Sequence, residues 1–311
     1  MRLKALSLGY AIPDSDFLAH IHSVFTSTMN LKMDGSIDLI TLINSNETDL
    51  PQGIRVDDPT NFAFNGFQVN GQVGCQAGIL RFAGSELEID LTRAERWQCD
   101  LRHLCNEGDP ERFLVSWNLV WKILNDRQIE LKADIIADSV INPREGSPSL
   151  FSERLNDGIS TILRSAGKLD PGLANEAVSI LVGLGAGLTP AGDDFLIGFM
   201  TGLICRSGSD RNRELYIARL GETIQSNLKR TNDISRTYLK HAGLGQVSRN
   251  LAELAEAICG GWNDDRLYVR MKSAMNTGHS SGMDTVTGLL VGLGVWMETN
   301  KLSNNPFIYP K

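Results

Sequence analysis

The feature that most constrains this chain is a segment that it builds twice. Residues 192–203 read GDDFLIGFMTGL, and residues 282–293 read GMDTVTGLLVGL. Gly192 aligns with Gly282, Asp194 with Asp284, Gly198 with Gly288, Gly202 with Gly292 and Leu203 with Leu293. Each copy places an Asp in the first turn of an apolar helix and then spaces its glycines four apart, on one helix face. Helices stripped of side chains along one stripe can pack closely. Side by side, their N-termini would bring Asp193, Asp194, His279, Ser280, Ser281 and Asp284 together in one shared site.

The approaches to the two helices differ. Before the first lies a small-residue run, Gly183, Gly185, Ala186 and Gly187, followed by Thr189 and Pro190. Before the second lies Gly278-His279-Ser280-Ser281. Glycines allow tight turns, and helix starts favour anions. Gly187, Thr189, Gly192, Ser280, Ser281 and Gly282 are therefore candidates for holding an anion or a substrate carbonyl. Asp193, Asp194, His279 and Asp284 are the candidate catalytic groups, with His279 as a general acid or base. The bland alternative assigns the glycines to helix packing and the acids to capping. Capping accounts for one Asp per helix and leaves Asp193 and the His-Ser-Ser run unexplained.

Adjacent carboxylates repel, so a cation or hydrogen-bond donors are expected near them. Asp193, Asp194 and Asp284 would suit Mg²⁺, which takes one or two carboxylates with waters and a substrate phosphate; no cofactor is assigned beyond that. A third polar cluster runs from Lys229 to Arg236. Thr231 and Ser235, four apart, would share a helix face and serve as further anion contacts. Arg230 or Arg236 could supply the positive charge the acids lack, although a solvated helix end explains the cluster more simply. His20 and His22 read as structural or exposed.

The first hundred residues are β-rich. SIDLITLIN (36–44) reads as a strand, and Gly66, Gly71, Gly74, Gly78 and Gly84 punctuate short apolar runs in the manner of a small antiparallel sheet or barrel. Residues 14–33 fit a helix or a strand, and the β-branched content tips them towards strand. Helical spacing takes over near Thr92, with a helix start at Asp109-Pro110-Glu111. Further helices are expected near 151–167, 173–184, 193–206, 210–229, 245–260, 264–277 and 283–298, with a connector over 134–149 and a loose tail from Asn304. The fold class is α+β: a β-rich domain over 1–100 and an all-α domain over 101–311 that carries both Gly/Asp segments.

Composition narrows the partners. A net charge of −7 argues against nucleic acid or an anionic membrane, while leaving room for a local positive pocket. The apolar stretches are too short or too interrupted to span a bilayer. Residues 1–16 contain no apolar run of signal-peptide length. Five cysteines without a CxxC pair suggest neither a disulfide framework nor a zinc site, and a reducing cytoplasm is the simplest setting.

GLGAGLTPAGDDFLIGFMTGL together with GHSSGMDTVTGLLVGL resembles the AllH-like family of bacteria, which includes a subunit of heteromeric oxamate carbamoyltransferase. HSVFTSTMNL (22–31) is similar to the family's N-terminal segment, and Thr231 to Ser235 to its middle motif. Ala186 stands where the family usually has Pro, and Met283 where a smaller residue is usual. The resemblance implies phosphorolysis of oxalurate to oxamate and carbamoyl phosphate, or the reverse, in allantoin degradation. It also implies partner subunits, one resembling acyl-CoA synthetases, and a small anionic substrate or phosphate. Two other readings stay open: a non-catalytic assembly subunit, and a stand-alone metal-dependent hydrolase of the ADP-ribosylglycohydrolase type, to which the GDD motif is loosely similar.

Overall fold

A computed structural model describes residues 1–57, 64–102, 104–105, 109–131, 133, 135–141, 149–278 and 280–297. His279, the tail from Asn304, and Pro143, Gly146 and Pro148 of the expected connector lie outside the described residues. The chain is α+β: a β-barrel followed by an all-helical region. It divides into two compact units, the first being Met1–Cys99 with Gln246–Arg249 and the second holding the helices. Among the described residues no helix is long and apolar enough to cross a membrane.

The barrel strands are β1 (Arg2–Gly9), β2 (Phe17–Val24), β3 (Thr28–Met33), β4 (Leu39–Asn44), β5 (Gly53–Asp57), β6 (Gln72–Gln76), β7 (Ile79–Phe82) and β8 (Glu88–Asp90). They hydrogen-bond in the order β5-β4-β3-β2-β6-β7-β8-β1, and β1 pairs back to β5, which closes the ring and removes its edges. A short β9 (Glu95–Trp97) adds beside the second half of β1. Residues 14–33 are the β2–β3 hairpin, so their β-branched content prevailed over the helical spacing. The sheet departs from the antiparallel expectation, because β4–β5, β1–β8 and β1–β9 are parallel. Gly/Asn punctuation marks where strands end, and carries no information on which way the next strand runs.

Alternating side chains fill the barrel. Met29, Leu31, Leu42, Ile54, Val56, Leu80 and Ile89 are fully or almost fully buried in its core. Asp49, on the β4–β5 connection, joins the Gln246–Arg249 segment to this unit. Its carboxylate accepts from Arg55 Nε at 3.0 Å and Arg249 Nε at 2.6 Å, and from the Ser7 hydroxyl; its carbonyl accepts from the Arg249 N–H at 2.9 Å. Gln246 brackets Cys99, donating to the Cys99 carbonyl at 3.0 Å.

The helical unit comprises α1 (Pro110–Leu131), α2 (Ala137–Ile141), α3 (Leu150–Lys168), α4 (Pro171–Leu181), α5 (Ala191–Arg206), α6 (Arg211–Asn227), α7 (Asp233–Ala242), α8 (Arg249–Cys259), α9 (Asp265–Met275) and α10 (Ser281–Gly294). Local chemistry sets most of the boundaries. Asp170, Asp210, Asn232 and Asp264 each cap a helix by accepting backbone N–H bonds. Leu169 ends α3 in the left-handed region. Two elements escaped the sequence reading. The short α2 falls in the expected connector. The ten-residue α7 starts where a solvated helix end seemed simplest.

At the centre lie α5 and α10, buried on nearly every side. The Trp117 indole of α1 donates to the Leu290 carbonyl at 2.9 Å, and Gln128 donates to the Thr287 hydroxyl at 2.8 Å. Cys105 and Cys259 form a disulfide, which corrects the expectation of no disulfide framework. The partners lie 154 residues apart, so no local spacing pattern announced them. Cys75, Cys99 and Cys205 are buried thiols outside this disulfide.

Candidate functional site

The glycines of the repeat set the distance between α5 and α10. A Cβ at Gly198 would lie 1.8 Å from the Thr285 carbonyl oxygen, and one at Gly202 2.5 Å from that of Leu289. In return, a Cβ at Gly288 would lie 2.0 Å from the Phe195 oxygen, and one at Gly292 2.4 Å from that of Phe199. Contacts advance in step along both helices, so the helices run parallel, backbone against backbone. The expected contact through all four glycines is present. The repeat also reaches one helix further back. Gly192 lies against the end of α4 (Leu181 oxygen, 2.2 Å from a Cβ) as Gly282 lies against that of α9 (Ala274 oxygen, 2.4 Å).

Parallel helices place both N-termini at one end, and the three acids gather there. Asp193 is fully buried and fully used. One oxygen accepts from the Gly183 N–H at 2.7 Å; the other accepts from the Thr231 hydroxyl at 2.5 Å and the Ser235 hydroxyl at 2.6 Å. Burial raises its pKa, and the two hydroxyls and the N–H pull the other way. Thr231 and Ser235 are thus donors to Asp193, buried rather than solvated. Asp193 ties the glycine loop to α7. The arginines expected to neutralise the acids are engaged elsewhere. Arg236 bonds Asp233 and the Leu228 and Thr231 carbonyls, and Arg230 donates to the Ser179 carbonyl.

Asp194 is different. It is 4% exposed, and its Oδ2 has no hydrogen-bond partner among the described residues. Burial holds its pKa well above the ordinary carboxylate value; the nearby charges of Asp284 and Asp193 push it the same way, and the Ser281 and Thr189 hydroxyls oppose them. Asp284 is fully buried. The helix field favours an anion by about 1 kcal/mol. Removing a carboxylate from water costs several kcal/mol. Desolvation therefore wins, and Asp194 keeps its proton above the usual carboxylate range. At the outer side, the Thr189 and Ser281 hydroxyls hydrogen-bond to each other. Both residues are half-buried, and Ala186 to Leu188 beside them are exposed.

One expectation changes here. The helix starts were expected to offer free N–H donors, yet the N–H groups of Gly192, Asp193, Asp194, Gly282, Met283 and Asp284 all donate to nearby carbonyls. Among the described residues no group of three or more His, Cys, Asp or Glu side chains is placed to hold a metal. Gly187 has a positive φ, and a Cβ there would meet nothing within 4 Å. The sequence reading missed Arg154 on α3, which faces the glycine turn with Arg230; no motif flags a lone Arg on a helix.

Fold and site together define a class: a β-barrel followed by a helical unit built on a duplicated, glycine-paired helix with buried acids at its N-terminal end. The family model for oxamate carbamoyltransferase subunit AllH matches residues 181–293, which span both Gly/Asp segments, and the model for the AllH family N-terminal domain matches residues 4–96. The chain belongs to the AllH family. No curated protein and no solved structure matches it.

Proposed function

We propose that this chain works as one subunit of an oxamate-type carbamoyltransferase, and that Asp194, screened by Thr189 and Ser281, is its acid–base group. The observation that carries this reading is the buried Asp194 Oδ2, which has no hydrogen-bond partner among the described residues, on a carboxyl that the half-buried Ser281 and Thr189 hydroxyls adjoin. In oxalurate phosphorolysis a phosphate oxygen attacks the carbamoyl carbon and the bond from that carbon to the oxamate nitrogen breaks. The departing nitrogen then needs a proton. A carboxyl whose pKa is raised by burial can supply one through Ser281 or Thr189, and can take it back in the reverse direction. His279, which precedes Ser280, enters the proposal from the sequence alone.

The family to which the chain belongs is that of an oxamate carbamoyltransferase subunit, so the test uses the assembled enzyme. The chain is co-expressed with its partner subunits and oxalurate phosphorolysis is measured. Asp194→Asn and Ser281→Ala should lower turnover by roughly 10²-fold or more while assembly is retained. Full turnover in both variants removes the site assignment. Variants that no longer assemble, with unchanged turnover in whatever complex remains, favour the assembly-subunit reading.

A further inference from the structure

We propose that the groove between α3 and the turn that follows α4 binds a small oxyanion, a phosphate or carboxylate group, between Arg154 and Arg230. The groove has a volume of about 370 Å³ and is lined by these arginines and by Ile180, Val182, Gly183 and Leu184. This site lies on residues other than those assigned to carbamoyl transfer, and it stands whether or not that reading holds.

Three observations carry it. The first is charge. The guanidinium groups come from separate elements and share a groove in a chain of net charge −7, yet neither is paired with a carboxylate among the described residues. Arg230 commits one N–H to the Ser179 carbonyl, and its remaining donors are left for a ligand. Two like charges across an open groove repel, and an oxyanion that accepts from both relieves this.

The second is construction. A Cβ at Gly183, which has a φ of +76°, would lie 2.4 Å from the Arg230 carbonyl oxygen, so only glycine lets the turn lie against the Arg230 backbone. Thr231, the next residue, is fixed by its bond to Asp193. The backbone that carries Arg230 is thereby held in place. Ile180, Val182 and Leu184 give the groove an apolar side.

The third is linkage. Gly183 lines the groove and donates its N–H to Asp193, whose other oxygen holds Thr231. An anion that draws on Arg230 therefore acts on a turn already bonded to the buried acid.

The test uses the full ¹⁵N-labelled chain, titrated at constant ionic strength with inorganic phosphate and, separately, with acetate. Saturable movement of the Gly183 amide resonance, with a matching calorimetric heat, is the expected result. Affinity should fall by about tenfold or more in Arg154→Gln/Arg230→Gln. The control Arg211→Gln/Arg219→Gln on α6 and the variant Asp194→Asn should bind like the wild type. Saturation by phosphate alone or by acetate alone names the group. The proposal is overturned if neither anion saturates, or if the double variant binds as tightly as the wild type with an unchanged thermal melt. Binding retained in Asp194→Asn, whatever that variant's turnover, separates the fate of this site from that of the carbamoyl reading.

Discussion

Gly198→Ala tests the paired-helix arrangement most directly. The new Cβ would fall 1.8 Å from the Thr285 carbonyl oxygen and 2.6 Å from the Leu289 nitrogen. Both are backbone atoms of α10, so no side chain can rotate away. The helices must part by roughly 1.5 Å before the contact becomes an ordinary one. Overpacking of this kind costs about 3 kcal/mol or more. Alanine returns about 1 kcal/mol through its higher helix propensity. The net expectation is a loss of about 2 kcal/mol, concentrated in the helical unit. Gly158→Ala on α3 is the comparison: the three atoms nearest its Cβ are side-chain atoms, Leu181 Cδ2 and Cγ at 2.7 Å and Ile180 Cγ2 at 3.1 Å. Side chains can give where a helix backbone cannot, so this variant should lose less stability than Gly198→Ala. Urea unfolding followed by far-ultraviolet circular dichroism reads both. If Gly198→Ala proves as stable as Gly158→Ala, the backbone-to-backbone contact is refuted, and with it the placement of Asp194 beside Asp284.

Three other outcomes are expected. Asp194 binds its proton more tightly folded than unfolded, so its contribution to stability is lost as pH rises from the ordinary carboxylate value through the raised folded value. Asp194→Asn should escape that loss and grow more stable than the wild type as pH rises, as urea midpoints across a pH series would show; a constant difference would mean that Asp194 ionises normally. Ser235→Ala removes one of two hydroxyls from a buried carboxylate oxygen and should cost about 2 kcal/mol. A thermal melt matching the wild type would show that Asp193 does not anchor α7. Tryptic mapping without reductant should recover Cys105 and Cys259 in one linked peptide, with Cys75, Cys99 and Cys205 as thiols. For a loop this long, reduction should remove up to about 5 kcal/mol; separate Cys105 and Cys259 peptides would disprove the link.

Some of this was legible in the linear chain. The α+β division follows from the change of hydrophobic period near Thr92, because burial on a strand repeats every second residue and burial on a helix every third or fourth. The close approach of α5 and α10 was written in Gly198, Gly202, Gly288 and Gly292, since a residue without a Cβ at regular spacing does little for a lone helix and much for a pair. The roles of the two adjacent acids were not legible. Asp193 and Asp194 are the same residue type one position apart, and one is saturated by Gly183, Thr231 and Ser235 while the other keeps a buried oxygen without a partner among the described residues. Successive residues on a helix point about 100° apart, so neighbours in sequence meet different surroundings, and those surroundings come from α7 and α10. The Cys105–Cys259 link, the parallel strand pairs of the sheet, the antiparallel β1–β5 pair that closes the barrel and the Arg154–Arg230 groove were settled in the same way, by segments that meet only once the chain has packed. Sequence determined which stripes must be buried and where helices could touch. Tertiary structure decided which polar groups lost their water, and that loss is what separates a capping acid from one that holds a proton.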